Sequence, residues 1–558
     1  MSNSHERSGY SANRRVPGVP LWWLALIALS SLVPGVSFPM THDPMSVEGG
    51  LIAQAPADET GVRIYKAIPF AAPPVANRRW QPPAAVEPWT GVRRSDEYAL
   101  PCPQPELASD GLAAPADTSE DCLYLNIFTP ARSSTERLPV FVWIHGGAYI
   151  VGSSREIDGS GLARRGVVVV TIGYRLGVFG FLAHPSLSTE SAHGASGNYG
   201  IMDQIAALQW VHRNIAAFGG DPSRVTIGGS SAGATSVNVL MVSPLAKGLF
   251  QRAIGQSGAA MPATGLTDGS PLTRAAEERK GAEFVRTLGI TSVEELRRLP
   301  AATLVKAGGA RWETWGWNAS IDGWVLPEPP SSLFARGEQQ DVPLLAGWTS
   351  NEGASLARGA FGDDDEPFGP QIDAKFGSAA ASILHLYEGG STSMDRRSKV
   401  ALAGDGFIAY PTWSWAVSHL RTTRAPLFLY VFDQPPPIPA NWPRRVSMLG
   451  QPGAFHGSSQ IYLFEAFASH PTWHFTAVDR RMGALMADYW AAFIREGDPN
   501  GPGRPNWPRY QLQVPRKIYF RNGHAVPASD AEVERLRALV PLFTASPGAL
   551  SYRGMKRR

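Results

Sequence analysis

Residues Gly228–Val237 read GGSSAGATSV, with two serines side by side. Centred on Ser231, the stretch Gly229-Ser230-Ser231-Ala232-Gly233 fits the pattern G-x-S-x-G. Centred on Ser230, it loses the final glycine. The glycines have a physical task, because a nucleophile on a sharp strand-to-helix turn leaves no room for side chains beside it. The surroundings match such a turn. RVTIG before it is β-branched and apolar, as a buried strand is, and ATSVNVLMVS after it reads as a helix. The helix N-terminus adds partial positive charge where an oxyanion would develop. Ser231 is therefore the candidate nucleophile.

A serine hydroxyl needs a base, an orienting carboxylate and donors for the oxyanion. VWIHGGAY supplies donors: Gly146, Gly147 and Ala148 follow an apolar run, and their small size admits a substrate to the backbone N–H groups. The N–H of Ala232, next after the nucleophile, completes that set. His145 precedes the glycines at a strand end, a place for packing or positioning rather than for a base. RLPVFVWIHGG and GVVVVTIGYR read as buried strands, and DQIAALQWVHRNIAAF as a helix with Ile205, Leu208, Val211 and Ile215 on one face. FGGDPSR reads as a turn before the strand that leads to Ser231. Near-continuous apolar strands alternating with helices predict an α/β fold, a large mostly parallel sheet with helices on both faces. GDDDEPFGP lacks the spacing of a calcium loop and reads as a solvated loop; DQPPPIPANWP reads as a rigid surface connection.

The composition bounds the rest. A formal charge of +3 over 558 residues gives no field suited to nucleic acid. With 44% hydrophobic residues, the chain has material for a large core. Arginine far outnumbers lysine, a bias of GC-rich, bacterial genomes that says nothing of function. LWWLALIALSSLV, Leu21 to Val33, is uncharged and follows Arg14 and Arg15. It suits the apolar region of a signal peptide and is short for a membrane span of about 20 residues. Gly35 and Ser37 satisfy the small-residue rule for cleavage. Residues 1–37 are thus read as a signal peptide, the alternative being an uncut N-terminal anchor. The mature chain is expected in the periplasm or outside the cell, with no membrane segment. Cys102 and Cys122, in an exported chain, read as one disulfide; two buried thiols are the alternative.

At this point the chain resembles the type-B carboxylesterases of the cholinesterase-like α/β-hydrolase superfamily, over roughly residues 45–545. The stretches that carry the likeness are YKAIPFAAPPVANRRWQPP, SEDCLYLNIFTP, VWIHGGAY, GNYGIMDQIAALQWVHRNIAAFGGDPSRVTIGGSSAGA, FQRAIGQSG, GWTSNEG, GAFHG and WAAFIREGDPNG. The resemblance implies one α/β-hydrolase catalytic domain over 45–545, followed by a basic tail at 546–558. It also implies a triad in the order Ser231, Glu352 (in GWTSNEG) and His456 (in GAFHG), without cofactor or metal. The disulfide Cys102–Cys122 would close a loop at the rim of the gorge. Ser257, in QSG, recurs near the acid and is expected to hydrogen-bond Glu352.

The chain departs from this pattern at two places. Where such enzymes usually carry Glu or Gln before the nucleophile, this chain has Ser230; where many carry a Glu three residues after the histidine, it has Ser459. Both being serine suggests a neutral hydrogen-bonded pair of Ser230 and Ser459 behind the triad, with less negative charge near the pocket. The segment between the cysteines has no aromatic residue to hold a quaternary ammonium, which argues against a cholinesterase proper. Trp312, Trp315, Trp317 and Trp324 either wall an acyl pocket or pack under a long loop. The implied activity is hydrolysis of a small, moderately apolar carboxylic ester through an acyl-enzyme. The alternatives are hydrolysis of an amide, carbamate or specialised natural-product ester by the same triad, and a non-catalytic binding protein.

Overall fold

The computed structural model describes residues 44–106, 117–261, 273–309, 315–362, 366–387, 392–439 and 453–545. The segment 1–37, the tail 546–558, Trp312 and parts of the two polar loops lie outside the described residues.

Ten strands form one twisted sheet: β3 (Arg63–Pro69), β5 (Tyr124–Thr129), β6 (Leu138–Ile144), β7 (Val168–Ile172), β8 (Gly220–Ser230), β9 (Arg252–Gln256), β10 (Leu344–Thr349), β11 (Leu427–Phe432), β12 (Arg516–Arg521) and β13 (His524–Ser529). A small second sheet joins β1 (Met45–Val47), β2 (Gly50–Ile52) and β4 (Val92–Arg93). The large sheet runs β13-β12-β11-β10-β9-β8-β6-β7-β5-β3. All pairings from β12 to β7 are parallel; the antiparallel ones lie at the edges, β12 with β13, β7 with β5 and β5 with β3. This is why the inner strands lack alternation. Every residue of β7 and β10 is buried, since helices cover both faces and each side chain meets a core.

Two hydrophobic cores result. One face packs Ile144, Val170, Leu208, Trp210 and Val239 around the helices Tyr199–Asn214 and Ala232–Val242. The other packs Phe141, Trp143, Tyr430, Trp490, Trp507 and Phe520 against the helix Ala477–Glu496. The stretch FGGDPSR differs from its reading as a plain turn: β8 already begins at Gly220. The turn chemistry survives as an irregularity within the strand. Asp221 Oδ1 accepts from the Ser223 N–H at 2.9 Å, and the register against β6 slips between Leu138 and Val140. Pro222 has no N–H to give a ladder and sits within that slip.

A parallel sheet places its functional loops at the carboxyl ends of its strands. Five consecutive neighbours, β6, β8, β9, β10 and β11, end next to one another here. They are followed in turn by Gly146, Ser231, Ser257, Glu352 and, farther along the chain, His456.

The helix Tyr199–Asn214 is tied to the end of β7 by a buried ion pair. Arg175 Nε and Nη2 donate to Asp203 Oδ2 and Oδ1, each at 2.8 Å, and the Arg175 N–H adds a third bond at 3.0 Å. Asp203 is 0% exposed. Asp203→Ala strands the guanidinium, and the expected loss is about 3–5 kcal/mol. Arg213→Ala breaks the exposed pair with Glu48 and should cost at most about 1 kcal/mol. Urea unfolding midpoints of the two variants check the contrast.

Candidate active site

Ser231 stands alone between β8 and the helix Ala232–Val242, at φ 56° and ψ −122°. That backbone is rare for a residue with a side chain and is held only by over-determined surroundings. The Ser231 N–H donates to the Gln256 carbonyl at 2.8 Å. A Cβ on Gly233 would lie 2.1 Å from the Ile144 carbonyl oxygen, so the helix approaches β6 too closely for any side chain there.

The HGGA turn lies against the same point. A Cβ on Gly146 would sit 2.7 Å from the Ser230 carbonyl oxygen and 3.2 Å from Ser231 Cβ. Gly147 has φ +98°, and Ala148 and Tyr149 follow at φ 54° and 60°, which turns the chain sharply and leaves Ala148 exposed. The N–H groups of Gly147 and Ala148 meet no backbone acceptor among the described residues. Ala232 opens its helix, so its N–H has no acceptor within that helix.

His145 is buried and stacks on Tyr174, ring centroids 4.3 Å apart. Its Nδ1 lies 2.9 Å from the Gly146 carbonyl oxygen, and the Tyr174 hydroxyl donates to the His145 carbonyl at 2.8 Å. Burial lowers the His145 pKa to about 4, so the ring stays neutral beneath the turn. It braces the turn from below, in agreement with its position at the strand end.

Glu352 and His456 come together at the next strand ends. His456 Nδ1 lies 2.5 Å from Glu352 Oε2. The other carboxylate oxygen, Oε1, accepts from the Ser257 hydroxyl and from the Thr349 N–H, both at 2.6 Å. Glu352 is 2% exposed, so its charge is held by these donors rather than by water. Ser257 has φ 57°, also in the left-handed region, and this conformation aims its hydroxyl. The histidine segment is laced to the acid segment by the Asn351 N–H, which donates to the Ala454 carbonyl at 3.0 Å. After His456 the helix Ser458–Leu463 returns toward the end of β8, and Gln460 Nε2 donates to Ser230 Oγ at 3.1 Å.

That last bond corrects one expectation. Ser230 does not pair with Ser459: its hydroxyl is taken by Gln460, while the Ser459 hydroxyl faces Tyr430. A one-turn helix places Gln460 and Ser459 about 100° apart, so only one of them faces β8. Thr349, Gln256 and Gln460 were not found from the sequence. Gln256 stands next to Ser257 in the motif, but a backbone carbonyl that holds another segment leaves no mark in residue type.

Cys102 and Cys122 form a disulfide. Gln104, inside the loop, donates to the Cys102 and Gly152 carbonyls at 3.1 and 2.9 Å and accepts from the Gly152 N–H at 2.9 Å. Gln104 thereby ties the start of this segment to Gly152, a few residues after the HGGA turn. Trp315 and Trp317 pack edge-on against Phe284, and their indole N–H groups bond the Ala307 and Gly308 carbonyls at 3.1 and 3.0 Å. Trp324 stacks on His193. Pro103, Ile150, Leu176, Phe179 and Trp317 line a small apolar crevice of about 10 Å³, room for about one water.

Residues 46–526 match the model of the carboxylesterase family. The chain is 34% identical to the fumonisin B1 esterase of Sphingopyxis macrogoltabida, over 89% of this chain and 93% of that one. It is 33% identical to the para-nitrobenzyl esterase of Bacillus subtilis, covering 90% and 99%. A solved structure of a PNB esterase superposes with a TM-score of 0.75 at 31% identity, over 90% of this chain and all of that one. The fold is the α/β fold of the PNB esterases, with a large mostly parallel sheet. The chain belongs to the carboxylesterase family, and it hydrolyses carboxylic esters.

Stability should follow pH through the buried imidazoles. His419 is also held neutral, its pKa lowered to about 4 by burial, with Nε2 2.9 Å from the Val342 carbonyl oxygen. Unfolded histidines protonate near 6.5, native His145 and His419 only near 4. Between these values the unfolded state binds more protons, so stability is full above about 6.5 and falls as pH drops toward 4. The urea midpoint should decline over that window, and His419→Gln should reduce the slope.

Proposed function

We propose that Ser231 is the nucleophile, His456 the general base and acid, and Glu352 its orienting carboxylate. The N–H groups of Gly146, Gly147, Ala148 and Ala232 are the oxyanion donors in this reading. The observation that carries it is the strained turn at Ser231, set between the HGGA turn and a hydrogen-bonded Glu352–His456 pair.

The proposed steps are those of an acyl-enzyme cycle. The Ser231 hydroxyl oxygen attacks the ester carbonyl carbon, and its proton passes to Nε2 of His456. Glu352, bonded to Nδ1, fixes the tautomer and stabilises the imidazolium that forms. The carbonyl oxygen becomes anionic in the turn, where the free N–H groups and the helix N-terminus favour negative charge. His456 then gives its proton to the departing alkoxide, leaving an acyl ester on Ser231. Water, activated by the same imidazole, attacks that ester and restores the enzyme. Each part of this cycle uses side chains and backbone alone.

The likeness to a para-nitrobenzyl esterase supports a moderately apolar ester as the substrate. The likeness to a fumonisin B1 esterase favours a second reading, a bulky natural-product ester cleaved by the same triad. We also read residues 1–37 as a signal peptide of an exported bacterial enzyme. The disulfide at Cys102–Cys122 supports an oxidising compartment.

Hydrolysis of a p-nitrophenyl ester series of increasing acyl length tests the assignment. Ser231→Ala should lower kcat by at least about 10³-fold while Ser230→Ala retains most activity. Equal losses in both variants would reject Ser231 as the single nucleophile. Mass measurement of the chain recovered from a bacterial host should show removal of about the first 37 residues; an intact N-terminus would reject the signal-peptide reading.

A further inference from the structure

The oxyanion donors come from two segments that lie far apart in the chain. Gly146, Gly147 and Ala148 stand on the turn after β6, and Ala232 at the head of the helix Ala232–Val242. Donors from both must meet one atom at about 2.7–3.1 Å to stabilise it. The separation of the two segments is therefore part of the chemistry. At the Ser231 end it is set by backbone packing, since a Cβ on Gly146 would already lie 3.2 Å from Ser231 Cβ.

A second tie lies behind the donors. Tyr149 directly follows Ala148, and Ser236 comes one helical turn after Ala232, on the same side of its helix. The Ser236 hydroxyl donates to Tyr149 Oη at 3.1 Å and accepts from Gln204 Nε2 at 3.0 Å. Three segments thus meet at one hydroxyl: the HGGA turn, the helix that follows Ser231, and the helix Tyr199–Asn214, which Asp203 fastens to Arg175. All three side chains are buried, so water does not compete for these bonds. Burial raises the Tyr149 pKa, so the phenol stays neutral and puts no charge beside the donors.

The rest of Tyr149 is fixed as firmly as its hydroxyl. Its φ of 60° is costly for a bulky residue and persists only where the surroundings over-determine it. Its carbonyl accepts from the Gly177 N–H at 2.6 Å. Its ring packs on Phe181, centroids 4.7 Å apart, and stands edge-on to Tyr174 at 6.5 Å. Backbone and ring leave the hydroxyl one place to be, so its bond to Ser236 transmits the position of the turn to the helix.

We propose that Tyr149 is a positioning residue for the reaction, whose bond to Ser236 holds the two halves of the oxyanion site at one separation. The inference rests on the triad and oxyanion reading above. Neither Tyr149 nor Ser236 touches the reacting atoms in it. Without the bond, the turn and the head of the helix can part by a fraction of an ångström. Substrate still binds, but donors on the two sides no longer converge on the oxyanion.

Tyr149→Phe keeps the packed ring and removes only the hydroxyl. Its kcat on a p-nitrophenyl ester should fall about 10-fold with KM within about twofold, the effect of one hydrogen bond felt in the transition state. Ser236→Ala should do the same, and the double variant should be no slower than the slower single one. A double variant about 100-fold slower would mean that the two hydroxyls act apart, and overturns the tie. A trifluoromethyl ketone gives a second readout: Ser231 adds to its carbonyl carbon, the serine proton passes to His456, and the carbonyl oxygen becomes an oxyanion held by the same donors. Its affinity should weaken by the same factor as kcat/KM in both variants. A lowered Tm with kcat and ketone affinity unchanged would make the bond merely structural and overturn the positioning role. Ser231→Ala separates this inference from the reading beneath it. If it silences the enzyme while Tyr149→Phe is as fast as the unaltered chain, only this inference fails. If Ser231→Ala stays active, the triad reading fails and this inference falls with it.

Discussion

The active-site end of the sheet depends on one strained backbone. Ser231 at φ 56° sits where an ordinary residue loses roughly 1–3 kcal/mol, and Ser257 at φ 57° repeats that cost one strand away. Neither conformation would persist without the groups around it. The Gln256 carbonyl holds the Ser231 N–H, the Gly347 carbonyl holds the Ser257 N–H, and Gly233 lets the helix close against β6. The two strained serines thus share supports on β9 and β10. What the strain achieves is placement: Ser231 Cβ is set against the HGGA turn, and the Ser257 hydroxyl is turned back into Glu352. Relaxing either would release conformational energy and lose a functional direction.

Much of this was legible in the sequence because its cause is local. A strand, a turn that excludes side chains and a helix are written in consecutive residues, so Ser231 and the HGGA turn could be read from residue types alone. Runs such as PVFVWI and VVVVTI announce strands buried on both faces. Glu352 and His456 were different. Nothing in NEG or FHG distinguishes them from other acidic residues and histidines, and only the likeness to a family selected them. Their meeting is a matter of strand order, and parallel strands bring distant segments together through long crossovers that leave no local signal.

The same limit explains where the reading erred. Ser230 and Ser459 were expected to face one another because both depart from one pattern, but the helix after His456 presents Gln460 to Ser230 instead. The row Ser230–Gln256–Gly347–Tyr430, paired across β8, β9, β10 and β11, is set by register across four strands, and no spacing along the chain encodes register. FGGDPSR has true turn chemistry in Asp221 and Ser223, yet the strand runs through it as an irregularity, because β6 is long enough to keep pairing. Trp315 and Trp317 were open between pocket wall and packing; their indole N–H groups are spent on backbone carbonyls, and Trp317 also lines the small crevice.

Charge in the interior is distributed so that the acid stands between two unlike surroundings. On the face of β10 opposite Tyr430, Trp348 lies under the ammonium of Lys517, 4.5 Å from its ring centre. Lys517 is fully buried but pairs with Asp530 at 2.8 Å and with Glu532, and Arg535 pairs with Asp405. Two cations are thus paired with three carboxylates, so each buried charge has a partner. On the other face the polar row holds no ionisable carboxylate at all. Glu352, at the end of the strand between them, is thus the carboxylate that bonds His456, and its negative charge is met by the Ser257 hydroxyl, the Thr349 N–H and the imidazole. A second buried anion behind the serine would compete for the same donors and for the imidazolium. Serine at positions 230 and 459 removes that competition, and the hydrogen-bonding capacity it leaves behind is neutral.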